Sequence, residues 1–204
     1  MVVLKDVTLC GITGNELVNY AGGVKSYVQA HVPFVERAII HDTGSTDGTR
    51  DMLSSLTGLY PNLKVGDKPF ENYGVARNGV LEEVTTRWAL VLDMDERISP
   101  KDFETLAKVL KERSERLAFD FSFLDVFPNG SEHIGGGHNP RLFRADLGLR
   151  YIRPIFEILK PTSELEAWTV IHAGTGVEIK HYRGSYLEFK AKKRRNLELA
   201  RAMV

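Results

Sequence analysis

Two acidic residues, Asp93 and Asp95, flank a single methionine directly after the apolar residues 88–92. The apolar run has the length of a buried strand, so both carboxylates would lie where that strand leaves its sheet. Carboxylates held this close repel each other until a cation neutralises them. A hard divalent ion can do this and still bind phosphate oxygens at its remaining coordination positions. The spacing therefore indicates a phosphate ligand held through a metal ion.

The same acidic pair could instead start a turn and cap the next helix. That cap is already supplied by Ser99, with Pro100 at the first helical position and Asp102 completing a capping box. Asp93 and Asp95 are therefore left without this structural role. Ligands of open α/β sheets bind beyond the carboxyl ends of the strands, which is where the pair lies. Taken alone, the pair fits both a metal site and a plain turn. The rest of the sequence is needed to distinguish the two.

Strand-like and helix-like patterns alternate along the first half of the chain. The predicted strands are residues 2–12, 38–41, 62–65 and 88–92, and the predicted helices are residues 17–28, 52–59, 73–85 and 100–116. This βαβα order predicts a parallel sheet wrapped by helices, so the acidic pair would lie at its carboxyl edge. The second half is less regular. Predicted strands at 118–127 and 141–144 and a glycine-rich stretch at 135–137 suit an antiparallel wall built from loops and short strands.

The last predicted element is a helix that begins at Ser185, where Ser185 and Glu188 form a capping box. No stop signal follows before residue 204, so the helix is either cut short or frayed at its end.

Composition limits the classes of protein that fit. With 204 residues and 43% apolar residues, the chain can bury one core and is expected to form one domain. Lys plus Arg equals Asp plus Glu at 27 each, so no overall basic field favours a nucleic-acid partner. No apolar run approaches the ~18 residues of a membrane span, and the N-terminus lacks a secretory pattern. The single Cys10 fits a core thiol in a reducing compartment, and a cytoplasmic protein is expected.

A second motif, residues 42–49, follows the second strand and reads Asp-Thr-Gly-Ser-Thr-Asp-Gly-Thr. Gly44 and Gly48 allow a tight turn, and Asp42 at the strand tip can accept hydrogen bonds from a base or a ribose. The alternative is a well-capped turn that binds nothing. The stretch lacks the Gly-Lys-Ser/Thr ending of a P-loop, and no Gly-x-Gly-x-x-Gly follows the first strand. Binding of ATP, GTP or NAD through these motifs is therefore not supported.

This motif has companions along the chain. They are Asn15-Glu16 after the first strand, Ala-Arg-Asn at residues 76–78, and Leu-Asp-Met-Asp-Glu at residues 92–96. Together they resemble the GT-A glycosyltransferase fold of the family 2 type. In the second half, residues 141–144, Phe156-Glu157, His181-Tyr182 and residues 193–196 are similar to the closing elements of that group. One departure is that many relatives carry His-Glu where this chain has Phe156-Glu157.

The resemblance implies an α/β, GT-A-like fold with a mostly parallel central sheet flanked by helices and a smaller antiparallel part on the acceptor side. Residues 1–204 would form a single catalytic domain. Residues 1–116 would be its nucleotide-sugar-binding half, residues 117–184 its acceptor-side half and residues 185–204 a C-terminal helix.

The resemblance also implies the roles of individual residues. Asp93 and Asp95 would hold Mn²⁺ or Mg²⁺ on the diphosphate of a nucleotide sugar, which makes Asp95 a catalytic residue, with His181 as a third ligand or diphosphate contact. Glu157 would be the general base, with Asp125 as the runner-up. The residues that would bind the donor are Asn15, Glu16, Asp42, Arg77, Asn78 and Asp93.

The function expected from these residues is metal-dependent transfer of a sugar from a nucleotide-diphosphate sugar, with UDP-sugars favoured, to an acceptor hydroxyl with inversion. The acceptor could be a glycan, a lipid-linked compound or a protein. The basic residues among 190–195 leave a contact with a membrane surface open.

Two other functions share such a fold. A sugar nucleotidyltransferase would carry basic residues in the loop after the first strand, and residues 11–16 contain none. A non-catalytic nucleotide- or sugar-binding module could use Tyr151 and Trp168 for stacking, but the intact Asp93 and Asp95 argue against lost catalysis.

Overall fold

The structure is a computed structural model that describes residues 2–135, 140–162, 172–184, 194 and 196–201. In these ranges the strands are β1 (Leu4–Thr13), β2 (Val35–Asp42), β3 (Leu63–Asp67), β4 (Trp88–Val91), β5 (Glu96–Arg97), β6 (Ala118–Val126), β7 (Glu132–Gly135), β8 (Leu142–Arg144), β9 (Leu149–Ile152), β10 (Ile158–Pro161) and β11 (His172–Tyr182). The helices are α1 (Gly23–His31), α2 (Thr49–Thr57), α3 (Tyr73–Leu81) and α4 (Pro100–Glu112). Residues 196–201 are also helical.

A mixed sheet connects both halves of the chain. In its described part the strand order is β3-β2-β1-β4-β8-β6-β11-β5, and β7 pairs with β6. The first four of these strands are parallel, as the βαβα pattern predicted. The second half joins them through β8, which pairs antiparallel with both β4 and β6. Strands β9 and β10 form a separate antiparallel pair. The predicted α/β fold, mostly parallel with an antiparallel part, is confirmed.

The central parallel strands β1, β2 and β4 carry runs of buried residues on both faces, as expected for strands that helices cover on each side. In β4 all four residues are buried, and Cys10 of β1 lies in the core as predicted. Helix α4 places Phe103 and Leu106 in the core. It begins where the sequence predicted, because the side chain of Ser99 accepts a hydrogen bond from the main-chain N–H of Asp102.

The first predicted helix starts later than its apolar spacing indicated. Residues 17–22 form a loop, and α1 begins only at Gly23. Gly23 has φ +73°, and a Cβ atom at this position would lie 2.2 Å from the carbonyl oxygen of Leu17. Only glycine tolerates both conditions, so the chain turns here instead of continuing a helix. The predicted ends of the third and fourth helices were also too late, because apolar spacing does not mark where a helix stops.

Several predictions lie outside the described residues. They concern residues 136–137 of the glycine-rich stretch, the capping box of Ser185 and Glu188, Trp168, and the basic residues Lys190, Lys192, Lys193 and Arg195. The division of the chain into a donor half and an acceptor half stays a prediction. Within the described ranges, no helix is both long and apolar enough to cross a membrane.

Candidate active site

The candidate site lies at the carboxyl edge of the parallel strands. Because β1, β2 and β4 run in the same direction, their C-terminal ends meet at one edge of the sheet. Asp42 is the last residue of β2 and pairs in register with Thr13 of β1. Asp93 follows β4 on the other side of β1, since β4 pairs with residues 7–10 of that strand. The fold therefore brings the two acidic motifs to a common edge.

Arg77 of α3 connects Asp93 to Glu157. Its Nε atom donates a hydrogen bond of 2.6 Å to Oε1 of Glu157, and its Nη2 atom donates one of 2.6 Å to Oδ1 of Asp93. The Arg77 side chain is 8% exposed, so these charge-assisted bonds form largely away from water. Two residues predicted for different tasks, Glu157 and Asp93, are thus held by one guanidinium group.

Arg141 extends this arrangement on the other side of Asp93. Its Nη2 atom lies 3.4 Å from Oδ2 of Asp93 and forms a closer ion pair with Glu96. Glu96 is 1% exposed, and its Oε2 atom accepts a 2.9 Å hydrogen bond from the main-chain N–H of Asp93. We call the alternating series Glu157, Arg77, Asp93, Arg141 and Glu96 the charge chain. Its three acids and two arginines pair with one another where isolated charges would be very costly.

Burial and neighbouring charges shift the pKa values in the charge chain in defined directions. Burial opposes the charged form of Arg77, but the charges of Asp93 and Glu157 outweigh it and raise its pKa well above the ordinary value. The pKa of Arg141 is raised likewise, because Glu96 and Asp93 outweigh its burial. Burial raises the pKa of Glu96 although Arg141 opposes that shift. Both arginines therefore stay charged, and Asp93 is compensated by two permanent cations.

A second cluster lies beside the charge chain and joins Asp95, His181 and Asp125. The Nε2 atom of His181 is 3.5 Å from Oδ2 of Asp95, and its Nδ1 atom is 3.2 Å from Oδ1 of Asp125. The main-chain N–H of Tyr182 donates a 2.8 Å hydrogen bond to the carbonyl oxygen of Asp95, which fixes β11 against the acidic turn. Burial alone would lower the pKa of His181, but the nearby Asp95 carboxylate outweighs it and raises the pKa.

The described residues contain no group of three or more His, Cys, Asp or Glu side chains arranged around a metal position. The Asp95 carboxylate and the His181 imidazole nevertheless offer one oxygen and one nitrogen donor at the site edge. Such a pair suits Mn²⁺, and Mg²⁺ is often held by one or two protein ligands together with substrate phosphates. The residues present therefore fit a divalent ion whose remaining ligands come from a diphosphate. Asp93 fits this role less well, because both its carboxylate oxygens face guanidinium groups.

The turn after β2 is held by Asp42 and Asn15. Asp42 is buried, and its Oδ2 atom accepts hydrogen bonds from the N–H groups of Gly44 at 3.0 Å and Ser45 at 2.8 Å. Oδ1 of Asn15 accepts a 2.8 Å bond from the N–H of Thr46, which fastens the loop after β1 to this turn. Asp42 and Asn15 are therefore neighbours in space, as their predicted roles require. Their contact with a donor stays a prediction.

Glu16 and Asn78 also have structural contacts. The Glu16 side chain accepts a 2.8 Å hydrogen bond from Asn19. Asn78 bonds at both ends to the backbone of Tyr151, donating to its carbonyl oxygen at 2.9 Å and accepting from its N–H at 2.8 Å. Asn78 thus joins α3 to β9. A contact between Asn78 and a nucleotide stays a prediction, whereas this structural contact was not foreseen.

The loop that carries Glu157 has an unusual backbone. Arg153 and Phe156 have φ values of +76° and +51°, which residues other than glycine rarely adopt. The loop is anchored where the main-chain N–H of Tyr73 donates to the carbonyl oxygen of Pro154 at 3.1 Å. Phe156 is 74% exposed, whereas Glu157 turns inward to Arg77. The residue that departs from the family pattern therefore faces solvent next to the proposed base.

Known proteins resemble this chain in sequence and in fold. The sequence profile of glycosyl transferase family 2 matches residues 33–146, which is more than half of the chain. The chain belongs to glycosyl transferase family 2. The matched region includes Asp42, Arg77 and Arg141, and it also contains the acidic pair.

One curated relative of this family 2 chain is the lipopolysaccharide core biosynthesis glycosyltransferase LpsC of Rhizobium meliloti (strain 1021). It is 26% identical over 132 residues, which are 63% of this chain and 47% of LpsC. The chain therefore matches about half of the length of this relative.

Solved structures share the fold. Staphylococcus aureus TarS 1-349, solved with UDP-GlcNAc, matches with a TM-score of 0.61 at 15% identity and covers 88% of this chain and 59% of TarS 1-349. GalNAc-T7, solved with UDP, GalNAc and Mn²⁺, matches with a TM-score of 0.62 at 11% identity, over 88% of this chain and 43% of that one. At these identities the likeness shows the fold, which is the GT-A glycosyltransferase fold.

The sequence motifs of family 2 left two members of the charge chain without a role. Glu96 directly follows the acidic pair, and Arg141 opens the Arg-Leu-Phe-Arg motif at residues 141–144. Both positions lay inside motifs that resembled the family, which is the signal that could have found them. Their burial and their contact with Asp93 became visible only in the folded chain.

Proposed function

We propose that this family 2 protein is a metal-dependent glycosyltransferase that transfers a sugar from a nucleotide-diphosphate sugar to an acceptor hydroxyl with inversion. The observation that carries the proposal is the pairing of Asp95 with His181 beside the charge chain, at the carboxyl edge of parallel strands. This edge offers metal donors and fixed cations where a diphosphate would bind. The UDP-GlcNAc bound to TarS and the UDP bound to GalNAc-T7 support UDP-sugars as the favoured donors.

The metal donors of the proposal are the Asp95 carboxylate and the His181 imidazole, and the ion is Mn²⁺ or Mg²⁺. The Mn²⁺ recorded with GalNAc-T7 supports a divalent ion. When bound, such an ion would offset the negative charge that develops on the leaving nucleoside diphosphate. Asp93 supplies a second carboxylate at the same edge. Because Arg77 and Arg141 already compensate its charge, it suits hydrogen bonding to donor hydroxyl groups better than metal ligation.

Glu157 is the proposed general base. In an inverting transfer the acceptor oxygen bonds to the anomeric carbon while the bond from that carbon to the diphosphate oxygen breaks. The acceptor hydroxyl proton then passes to a carboxylate on the opposite face. The bond from Arg77 Nε holds the Glu157 carboxylate in one orientation at 14% exposure. The name of LpsC, which refers to the lipopolysaccharide core, supports a glycan or lipid-linked acceptor.

Calorimetric titration tests this proposal. UDP, GDP and dTDP are each titrated into the protein with Mn²⁺, with Mg²⁺ and with EDTA. We expect UDP to bind only with a divalent ion. We expect Asp95→Asn to abolish this metal-dependent binding of UDP while the circular dichroism spectrum stays unchanged. Asp51→Asn, which changes an exposed acid on α2, is the matched control and should bind as the wild type does. Binding of no nucleotide under any condition would remove the proposal.

A second measurement separates transfer from binding. Release of UDP from UDP-sugars is followed in the presence of candidate glycan acceptors or of water alone. Glu157→Gln should bind UDP with Mn²⁺ as the wild type does and should lose most of the release rate, because the amide cannot accept the proton. A variant that keeps the full rate would show that another residue is the base.

A further inference from the structure

We infer that Asp125 is a positioning residue that orients His181 for metal binding by accepting the proton on its Nδ1 atom. The inference rests on the proposed function and goes beyond it. It assigns a task to a residue that the sequence had offered only as an alternative general base.

Strand pairing places the two residues side by side. Strands β6 and β11 are parallel neighbours, and Asp125 and His181 are direct partners in their register. Oδ1 of Asp125 lies 3.2 Å from Nδ1 of His181, and Nε2 on the far side of the ring lies 3.5 Å from Asp95. The imidazole ring is thus located between a carboxylate from its own sheet and the carboxylate proposed to hold the metal.

The Asp125 side chain is itself fixed. Its Oδ2 atom accepts a 2.8 Å hydrogen bond from Nη2 of Arg183, and the side chain is 13% exposed. On the other flank β7 packs closely, since a Cβ atom at Gly135 would lie 3.1 Å from Oδ1 of Asp125. Gly135, whose partner in the register is Phe123, therefore leaves room for the Asp125 carboxylate.

The oxygen that faces His181 still needs a donor. Oδ1 of Asp125 is buried and makes no hydrogen bond of ordinary geometry within the described residues. Buried carboxylate oxygens are rarely left in that state. A proton on Nδ1 of His181, 3.2 Å away, would satisfy this atom after a small rotation of the ring.

A proton on Nδ1 has a consequence for the opposite nitrogen. In neutral imidazole the other ring nitrogen then carries the free electron pair, so Nε2 becomes the atom that can bind a metal. Carboxylates that hold metal-bound histidines in this way fix the tautomer and the ring orientation, and their loss typically weakens metal binding 10-fold to 100-fold. Asp125 has the position and the charge for this task.

The same contacts argue against Asp125 as the base. One of its oxygens faces His181 and the other accepts from Arg183. A general base must instead present an oxygen to the acceptor hydroxyl. The geometry therefore favours a role that acts through His181.

The first experiment measures Mn²⁺ affinity in the presence of UDP, by titration followed with electron paramagnetic resonance. Asp125→Ala should weaken Mn²⁺ binding by about 10-fold to 100-fold. Asp125→Asn should weaken it less, because its amide oxygen still accepts the proton. Glu178→Gln, which changes an exposed acid on β11, should leave the affinity unchanged. An unchanged affinity in folded Asp125→Ala would overturn the inference.

The second experiment needs neither metal nor activity. Long-range ¹H–¹⁵N correlation spectra of the histidine side chains, assigned with His181→Gln and recorded where the ring is neutral, report which nitrogen carries the proton. We expect the Nδ1–H tautomer in the wild type and a shift towards Nε2–H in Asp125→Ala. An Nε2–H tautomer in the wild type would overturn the inference. If Mn²⁺ and UDP do not bind at all, the proposed function fails, and these spectra still decide the contact between Asp125 and His181.

Discussion

Glu96 holds the backbone of Asp93: its carboxylate accepts the main-chain N–H of Asp93 at 2.9 Å, and both side chains lie against Arg141. A buried acid thus fixes the turn that carries the acidic pair. Because this acid is 1% exposed and paired, its loss leaves a buried arginine without full compensation.

We therefore expect Glu96→Gln to lower the free energy of unfolding by about 3 kcal/mol, since the amide keeps the hydrogen bond but loses the charge opposite Arg141. Urea unfolding at pH 7 measures this. The control Glu112→Gln changes an exposed acid on α4 and should stay within about 0.5 kcal/mol of the wild type. If the two variants were equally stable, the ion pair between Glu96 and Arg141 would not contribute to the free energy of unfolding.

Asn78→Ala removes both hydrogen bonds between α3 and the backbone of Tyr151. We expect a loss of about 2 kcal/mol in unfolding free energy, because a main-chain N–H and a carbonyl group each lose a partner. UDP affinity in the presence of Mn²⁺, measured below the unfolding transition, distinguishes the two roles of this residue. A large loss of affinity at unchanged stability would support the nucleotide contact and contradict the structural one.

His31 gives the fold a defined dependence on pH. Its ring is completely buried and its Nε2 atom accepts the N–H of Ile98 at 3.2 Å. Burial, assisted by the charge of Arg97, lowers its pKa to about 3. The unfolded chain then binds a proton below pH ~6.5 that the folded chain does not, so stability is complete above that pH and falls as the pH drops towards 3.

Between pH 7.5 and pH 5.0 this linkage predicts that His31 contributes a loss of about 2 kcal/mol. The measurement compares urea unfolding of the wild type and of His31→Gln at both pH values, because other groups that titrate affect both proteins alike. A variant with the same pH dependence as the wild type would show that His31 is not the group responsible.

Phe156→Asn tests the strained backbone beside Glu157. A left-handed conformation costs most side chains about 1–2 kcal/mol, whereas asparagine tolerates it. Phe156 has φ +51° and is 74% exposed, so its replacement loses little apolar burial. We expect the melting temperature to rise, by an amount that corresponds to about 1 kcal/mol. Phe156→Ala is the matched control, since it removes the ring but keeps the strain. An equal rise in both variants would assign the effect to the ring and not to the backbone.

Local sequence patterns were sufficient for much of the fold. The alternation of apolar spacings predicted the parallel half of the sheet, and the four motifs predicted the family that the profile match shows. Residues at strand ends could be placed as well, because parallel strands present their carboxyl ends at one edge. The sequence placed Asp42 and Asp93 each at a strand end, and the pairing of β1 with β2 and β4 brings these ends to one edge.

The start of α1 was not predicted, because apolar spacing continues through residues 17–22. The helix does not extend back over these residues because Gly23 turns the chain closely against the backbone of Leu17. The charge chain was not predicted either. Arg77 reaches Glu157 across a long stretch of sequence, and nothing local to either residue indicates the other.

The sequence by itself determined the class of fold and the residue types at the carboxyl edge, since both follow from short-range periodicity and from the order of the elements. The tertiary structure decided which charges meet. Asp125 lies beside His181 because β6 and β11 pair in parallel. Asp93 lies between Arg77 of α3 and Arg141, the residue before β8, which come from distant parts of the sequence. Such pairings depend on strand register and helix packing, which are properties of the whole folded chain.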